Sequence, residues 1–70
     1  MRISARNQLG GVVTQVHLGA VMATVVIRLA GGEEVTSVIT KDSAQDLGLA
    51  EGDQVTAVIK STEVMIAKED

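Results

Sequence analysis

Residues 21–40 read Val21-Met22-Ala23-Thr24-Val25-Val26-Ile27-Arg28-Leu29-Ala30-Gly31-Gly32-Glu33-Glu34-Val35-Thr36-Ser37-Val38-Ile39-Thr40. Two β-branched runs flank a Gly-Gly pair, the pattern of a β-hairpin. In the first run Val21, Ala23, Val25, Ile27 and Leu29 share one face, and all are apolar. A face of that kind needs a core to cover it. The opposite face carries Met22, Thr24, Val26 and Arg28. It is half apolar, which points to contact with another subunit.

Outward from this hairpin the chain is cut by glycines, because proline is absent. Gly10-Gly11, Gly19, Gly31-Gly32, Gly48 and Gly52 set the breaks. Upstream, Val12–Leu18 alternates, with Val12, Thr14, Val16 and Leu18 on one face and Val13, Gln15 and His17 on the other. Downstream, Gln54–Lys60 and Glu63–Ala67 read as two further strands. Residues 40–49 differ: Thr40 is a helix N-cap, Gly48 suits the left-handed position after the last turn, and Leu49 closes it. The expectation is an all-β fold, a small five-stranded OB-like Greek-key barrel with one short helix between strands 3 and 4. The strand count alone also allows an SH3-like barrel. No linker or internal repeat divides residues 1–70, so one domain is expected.

Composition narrows the function. A chain of 70 residues buries a modest fraction of its surface and is marginal alone. Cysteine is absent and there is one histidine, so disulfides and a zinc site are excluded. Oligomerisation is left as the source of extra burial, in keeping with a 46% hydrophobic content. Single-stranded nucleic acid binds by stacking on aromatic side chains in a basic groove. Here aromatic residues are absent and the formal charge is −3, so nucleic acid is excluded as a partner. No apolar run spans a membrane and no signal sequence opens the chain, so a soluble cytoplasmic protein is expected.

Nothing supports catalysis. There is no Cys nucleophile, no Ser/His/Asp signature and no phosphate-cradling loop ending in Lys-Ser/Thr. His17 reads as a surface or interface histidine. Donors for an anion are better supplied. Ser4-Ala5-Arg6-Asn7-Gln8 places a hydroxyl, amides and a guanidinium together. Thr40 and Ser43 place two hydroxyls at the start of the expected helix. Lys60-Ser61 adds an ammonium and a hydroxyl. Gly19-Ala20 is a weaker, fourth candidate through its backbone amides. Each has an ordinary alternative, a helix cap or a solvated charge.

These segments carry a family resemblance. Ser4-Ala5-Arg6-Asn7-Gln8-Leu9 with Gly11, then Thr36–Thr40, Asp42-Ser43, Leu47-Gly48-Leu49 with Glu51-Gly52, then Val55–Thr62 leading to Val64-Met65-Ile66, resemble the molbindins, the molybdenum-pterin-binding (Mop, TOBE-like) proteins. The resemblance implies an OB-like barrel assembled as a homohexamer, a trimer of dimers. It implies molybdate or tungstate held at subunit interfaces, with no catalytic cofactor. By similarity, Ser4, Arg6 and the Ala5 amide contact the oxyanion, Thr40 and Ser43 match hydroxyl ligands, and Lys60 and Ser61 match a basic-plus-small pair. Residues 17–20 are less alike. The expected role is storage and homeostasis of the oxyanion. The alternatives are a purely structural barrel or a module that delivers molybdenum or molybdopterin to an enzyme.

Overall fold

The computed structural model describes residues 1–70. Its elements in chain order are β1 (Asn7–Leu18), β2 (Met22–Leu29), β3 (Glu34–Thr40), α1 (Lys41–Asp46), β4 (Gln54–Ile59) and a 3-10 turn (Ser61–Glu63). The strands form one antiparallel sheet in the order β3-β2-β1-β4. β1 is the shared strand. Its first half, Asn7–Val12, pairs with β4, and Gly11–Leu18 pairs with β2. The chain returns from β3 through α1 to lay β4 beside β1.

The hairpin read from residues 21–40 is present, with Met22 opposite Thr40 and Arg28 opposite Glu34. The apolar face of β2 is the core face. Ala23, Val25 and Ile27 are buried, and Val25 and Ile27 join Val13 and Ala57 in the central cluster. Val16, Leu29, Val35, Ile39, Leu49 and Val55 pack around it.

β1 departs from the sequence reading twice. It starts at Asn7 rather than Val12, running straight through Gly10-Gly11. Gly11 is no break, because a Cβ there would lie 2.6 Å from Ile27 Cγ2 and 2.7 Å from the Arg28 carbonyl oxygen. The missing side chain is what lets β2 pack this closely. The register also shifts between Val13 and Gln15, so Thr14 is bulged, and its Oγ1 donates to the Val26 carbonyl at 3.3 Å. A bulge resets the two-residue period. Val13 and Val16 therefore both face the core, although strict alternation separates them.

The helix forms as expected but is only six residues long. Thr40 is extended, and its Oγ1 accepts from the Ser43 N–H at 3.1 Å. At the far end Gly48 has φ +63°, and the Leu49 N–H donates to the Ala44 carbonyl at 3.1 Å. That closing bond needs the left-handed backbone that glycine supplies without strain. Ala44 is the helix residue that reaches the interior.

The fifth strand is a correction. β4 ends at Ile59, one residue short of Lys60, and the chain then turns through Ser61–Glu63 with the Glu63 N–H donating to the Lys60 carbonyl at 2.9 Å. Glu63–Ala67 pairs with nothing in the chain, and Met65 and Ile66 are 93% and 90% exposed. The residue pattern suits a strand, but a strand needs a neighbouring edge, and within the chain this segment pairs with none. β3 and β4 accordingly keep one free edge each. No helix is long and apolar enough to cross a membrane.

Candidate functional site

The first rung of the β1–β4 ladder, Asn7 opposite Ile59, joins two segments more than fifty residues apart in sequence. Beyond that rung both chains leave the sheet side by side. The N-terminal arm brings Ile3, Ser4, Ala5 and Arg6. The end of β4 and the turn after it bring Val58, Lys60, Ser61 and Thr62. Together they line one open pocket. Ser4, Ala5, Arg6, Lys60 and Ser61, five residues picked from the sequence, are thus brought together by the fold.

The lining has a consistent chemistry. Two hydroxyl side chains beyond Ser4, a guanidinium and an ammonium are present, and no carboxylate is among them. Lys60 is extended at the N-cap of the 3-10 turn and makes no side-chain cap bond. On the arm, Gln8 Nε2 donates to the Ala5 carbonyl at 2.9 Å. Asn7 Nδ2 donates to the Ile59 carbonyl at 3.3 Å. Arg6 and Lys60 are exposed and stay accessible to a ligand from solvent.

Thr40 and Ser43 lie elsewhere. Thr40 Oγ1 is bonded to Ser43 Oγ at 2.7 Å as well as to the Ser43 N–H, so both hydroxyls serve the cap. Asp42 stands between them in the first turn and opposes an added negative charge. The Gly19-Ala20 turn is their neighbour: the Lys41 N–H donates to the Val21 carbonyl at 2.8 Å, and the Gly19 N–H donates to Met22 at 2.8 Å. Only part of the backbone of that turn is therefore free to meet a ligand.

These two groups sit beyond opposite ends of β1. At ~3.3 Å per residue, its twelve residues separate them by roughly 35 Å along the strand. One chain therefore presents two separate groups of donors, one toward each end of β1. Ile3, Val58 and Thr62 were missed from the sequence. Thr62 could have been found as the hydroxyl next to Ser61, whereas the apolar pair carries no donor to search for. His17 is exposed opposite Thr24, and no group of three or more His, Cys, Asp or Glu residues is placed to hold a metal ion.

The family model of the TOBE domain matches residues 3–66. This chain belongs to the TOBE domain family. Within it, the molybdenum-pterin-binding protein 3 of Clostridium pasteurianum is 61% identical over 66 residues, which cover 94% of this chain and 97% of that protein. The solved structure of MopII from Clostridium pasteurianum matches this TOBE domain with a TM-score of 0.91 at 52% identity, covering 96% of this chain and all (100%) of that one. ModG, a cytoplasmic molybdate-binding protein solved with molybdate bound, matches with a TM-score of 0.83 at 48% identity. That match covers 87% of this TOBE domain and 43% of the ModG chain.

Proposed function

We propose that this TOBE domain acts as one non-catalytic, cytoplasmic module that binds and stores molybdate or tungstate. The observation that carries the reading is the carboxylate-free, donor-rich pocket that Ser4, Ala5, Arg6, Lys60, Ser61 and Thr62 line. Molybdate near neutral pH is a dianion with no proton to give. A pocket of hydroxyls, cationic side chains and amides meets it with donors only. Hydrogen phosphate carries a proton, and with no carboxylate in the lining only hydroxyl oxygens remain to accept it, at the expense of their own donation to the anion. Sulfate has no proton, so its rejection falls to the size of the pocket. The names of the relatives support the ligand class, and molybdate is bound in the ModG structure. The pterin in the relatives' name finds no aromatic side chain here to stack on.

The same reading includes a homo-oligomer, a hexamer built as a trimer of dimers. Only 6 of 70 residues are buried, too few for a robust core in an isolated chain. Met22 of β2 and Val38 of β3 expose apolar surface on the outer face, 45% and 60%, and the half-apolar pattern of β2 anticipates the first. The free edges of β3 and β4, together with the exposed Val64-Met65-Ile66, suit completion of a five-stranded Greek-key barrel by a second copy. In such an assembly Thr40 and Ser43 of one chain approach the arm pocket of another, and the Gly19-Ala20 turn offers a second class of site. A ligand shared between chains stabilises the assembly by mass action.

Size-exclusion chromatography with inline light scattering tests this, run with and without molybdate and followed by metal analysis of the peak. The expected result is an oligomer that carries molybdenum. A peak free of molybdenum at saturating molybdate overturns the reading.

A further inference from the structure

We propose that Gln8, with Asn7 behind it, is a positioning residue for anion capture. The proposal rests on the oxyanion reading of the pocket and says how that pocket is held ready. Neither residue lines it. Each instead makes one side-chain bond to the backbone that frames it.

The arm has little else to hold it. It lies before the first rung of the sheet, Asn7 opposite Ile59, and Ser4 and Arg6 are exposed. An arm outside the ladder loses its own conformational freedom when it closes on a ligand, and affinity falls by that amount unless the arm is ordered beforehand. The Gln8 amide supplies the order by donating to the Ala5 carbonyl at 2.9 Å, which closes residues 5–8 into a loop.

This bond also does chemical work. The Ala5 carbonyl is an acceptor at the rim of a pocket meant for an ion that only accepts. Pointed at the anion it repels. With Gln8 as its partner it is held toward the side chain. In a planar trans peptide the C=O and the next N–H point opposite ways. Pinning the Ala5 carbonyl therefore also fixes the direction of the Arg6 N–H. The role needs a neutral donor: a carboxylate at position 8 meets the carbonyl with a second acceptor. Asn7 acts at the base of the arm, its amide donating to the last carbonyl of β4, Ile59, at 3.3 Å. Lys60 follows directly, so this contact sets the arm against the other half of the pocket.

The test compares Gln8→Met and Asn7→Ala with the parent, using molybdate titrated by calorimetry and backbone-amide NMR order parameters on the anion-free protein. Gln8 is exposed, so Gln8→Met keeps the fold and serves if Asn7→Ala does not. Gln8→Met is expected to weaken molybdate by about three- to ten-fold, the equivalent of one lost hydrogen bond. It is also expected to lower the order parameters of residues 3–6 while leaving those of β1 and β2 unchanged. In a Gln8→Met background, Arg6→Ala is expected to cost less than in the parent, whereas a merely structural role leaves the two effects additive. Parent-like affinity and parent-like arm order in Gln8→Met overturn the proposal. A parent that gives no heat with molybdate overturns the reading of the pocket instead, and the order parameters still decide whether Gln8 orders the arm.

Discussion

Val13 and Val16 both face the core from the same strand, three residues apart, because Thr14 is bulged out between them. Val13 is the largest fully buried side chain in the protein, at 1% exposure. His17, which strict alternation puts on the same face as Val13, is exposed. Val13→Ala is therefore expected to destabilise the fold by about 2 kcal/mol, the worth of burying a valine side chain plus its cavity. His17→Ala is expected to stay within ~0.5 kcal/mol. Urea denaturation of both at one protein concentration checks the pair, and a reversed order refutes the placement of the bulge.

Gly10 and Gly11 are adjacent but not equivalent. A methyl group at position 11 meets Ile27 Cγ2 at 2.6 Å and the backbone oxygen of Arg28 at 2.7 Å, whereas one at position 10 meets nothing within 4 Å. A side chain can yield, but the carbonyl belongs to the backbone of β2, which is paired on both sides. Gly11→Ala is expected to cost about 1–3 kcal/mol as an overpacked site. Gly10→Ala is expected to be neutral or stabilising by up to ~1 kcal/mol, since it lowers unfolded-chain entropy. Thermal melts of the two variants separate these outcomes.

Arg6 and Lys60 line one pocket from opposite ends of the chain. Without an anion their charges have no carboxylate in that lining to meet. Arg6→Ala or Lys60→Ala is expected to weaken molybdate by roughly 10- to 100-fold, the range of a charge-assisted hydrogen bond. The melting temperature of the anion-free protein is expected to hold or rise slightly as like charges are removed. Calorimetry at two salt concentrations checks this, with the parent losing more affinity to salt than either variant. Parent-like binding by both variants moves the ligand elsewhere.

The hairpin at residues 21–40 was legible because β2 has one wholly apolar face, and α1 was legible because Thr40 and Gly48 are residues its two ends require. The bulge was not, since Thr14 is as good a strand residue as its neighbours and only the three-dimensional register reveals it. The fifth strand failed for another reason. Glu63–Ala67 has the composition of a strand, but pairing depends on an edge that the chain does not bring to it. In the site, the residues with donors were found except Thr62, and the two apolar ones were not. Ile3 and Val58 shape the pocket by volume alone, and no local pattern marks that. Distance was not legible either: Thr40 and Lys60 were separate candidates, and only the length of β1 shows that they lie toward opposite ends of one chain.

That separation makes the shared site testable. If Ser43 of one chain completes the arm pocket of another, Lys60→Ala and Ser43→Ala damage different halves of the same site. Mixed and co-refolded, the two variants form some dissimilar pairs. In such a pair one interface combines both defects, and the other combines the intact Lys60 with the intact Ser43. Because a two-fold interface repeats its contacts reciprocally, random pairing restores about a quarter of the high-affinity sites. The readout is the calorimetric stoichiometry of tight molybdate binding in the mixture against each variant alone. Thr40→Ala serves as the control for the cap, expected to lower helix stability by ~1 kcal/mol whether or not a ligand is present. No regain on mixing places the whole site within one chain, and the Thr40–Ser43 pair is then a cap and nothing more.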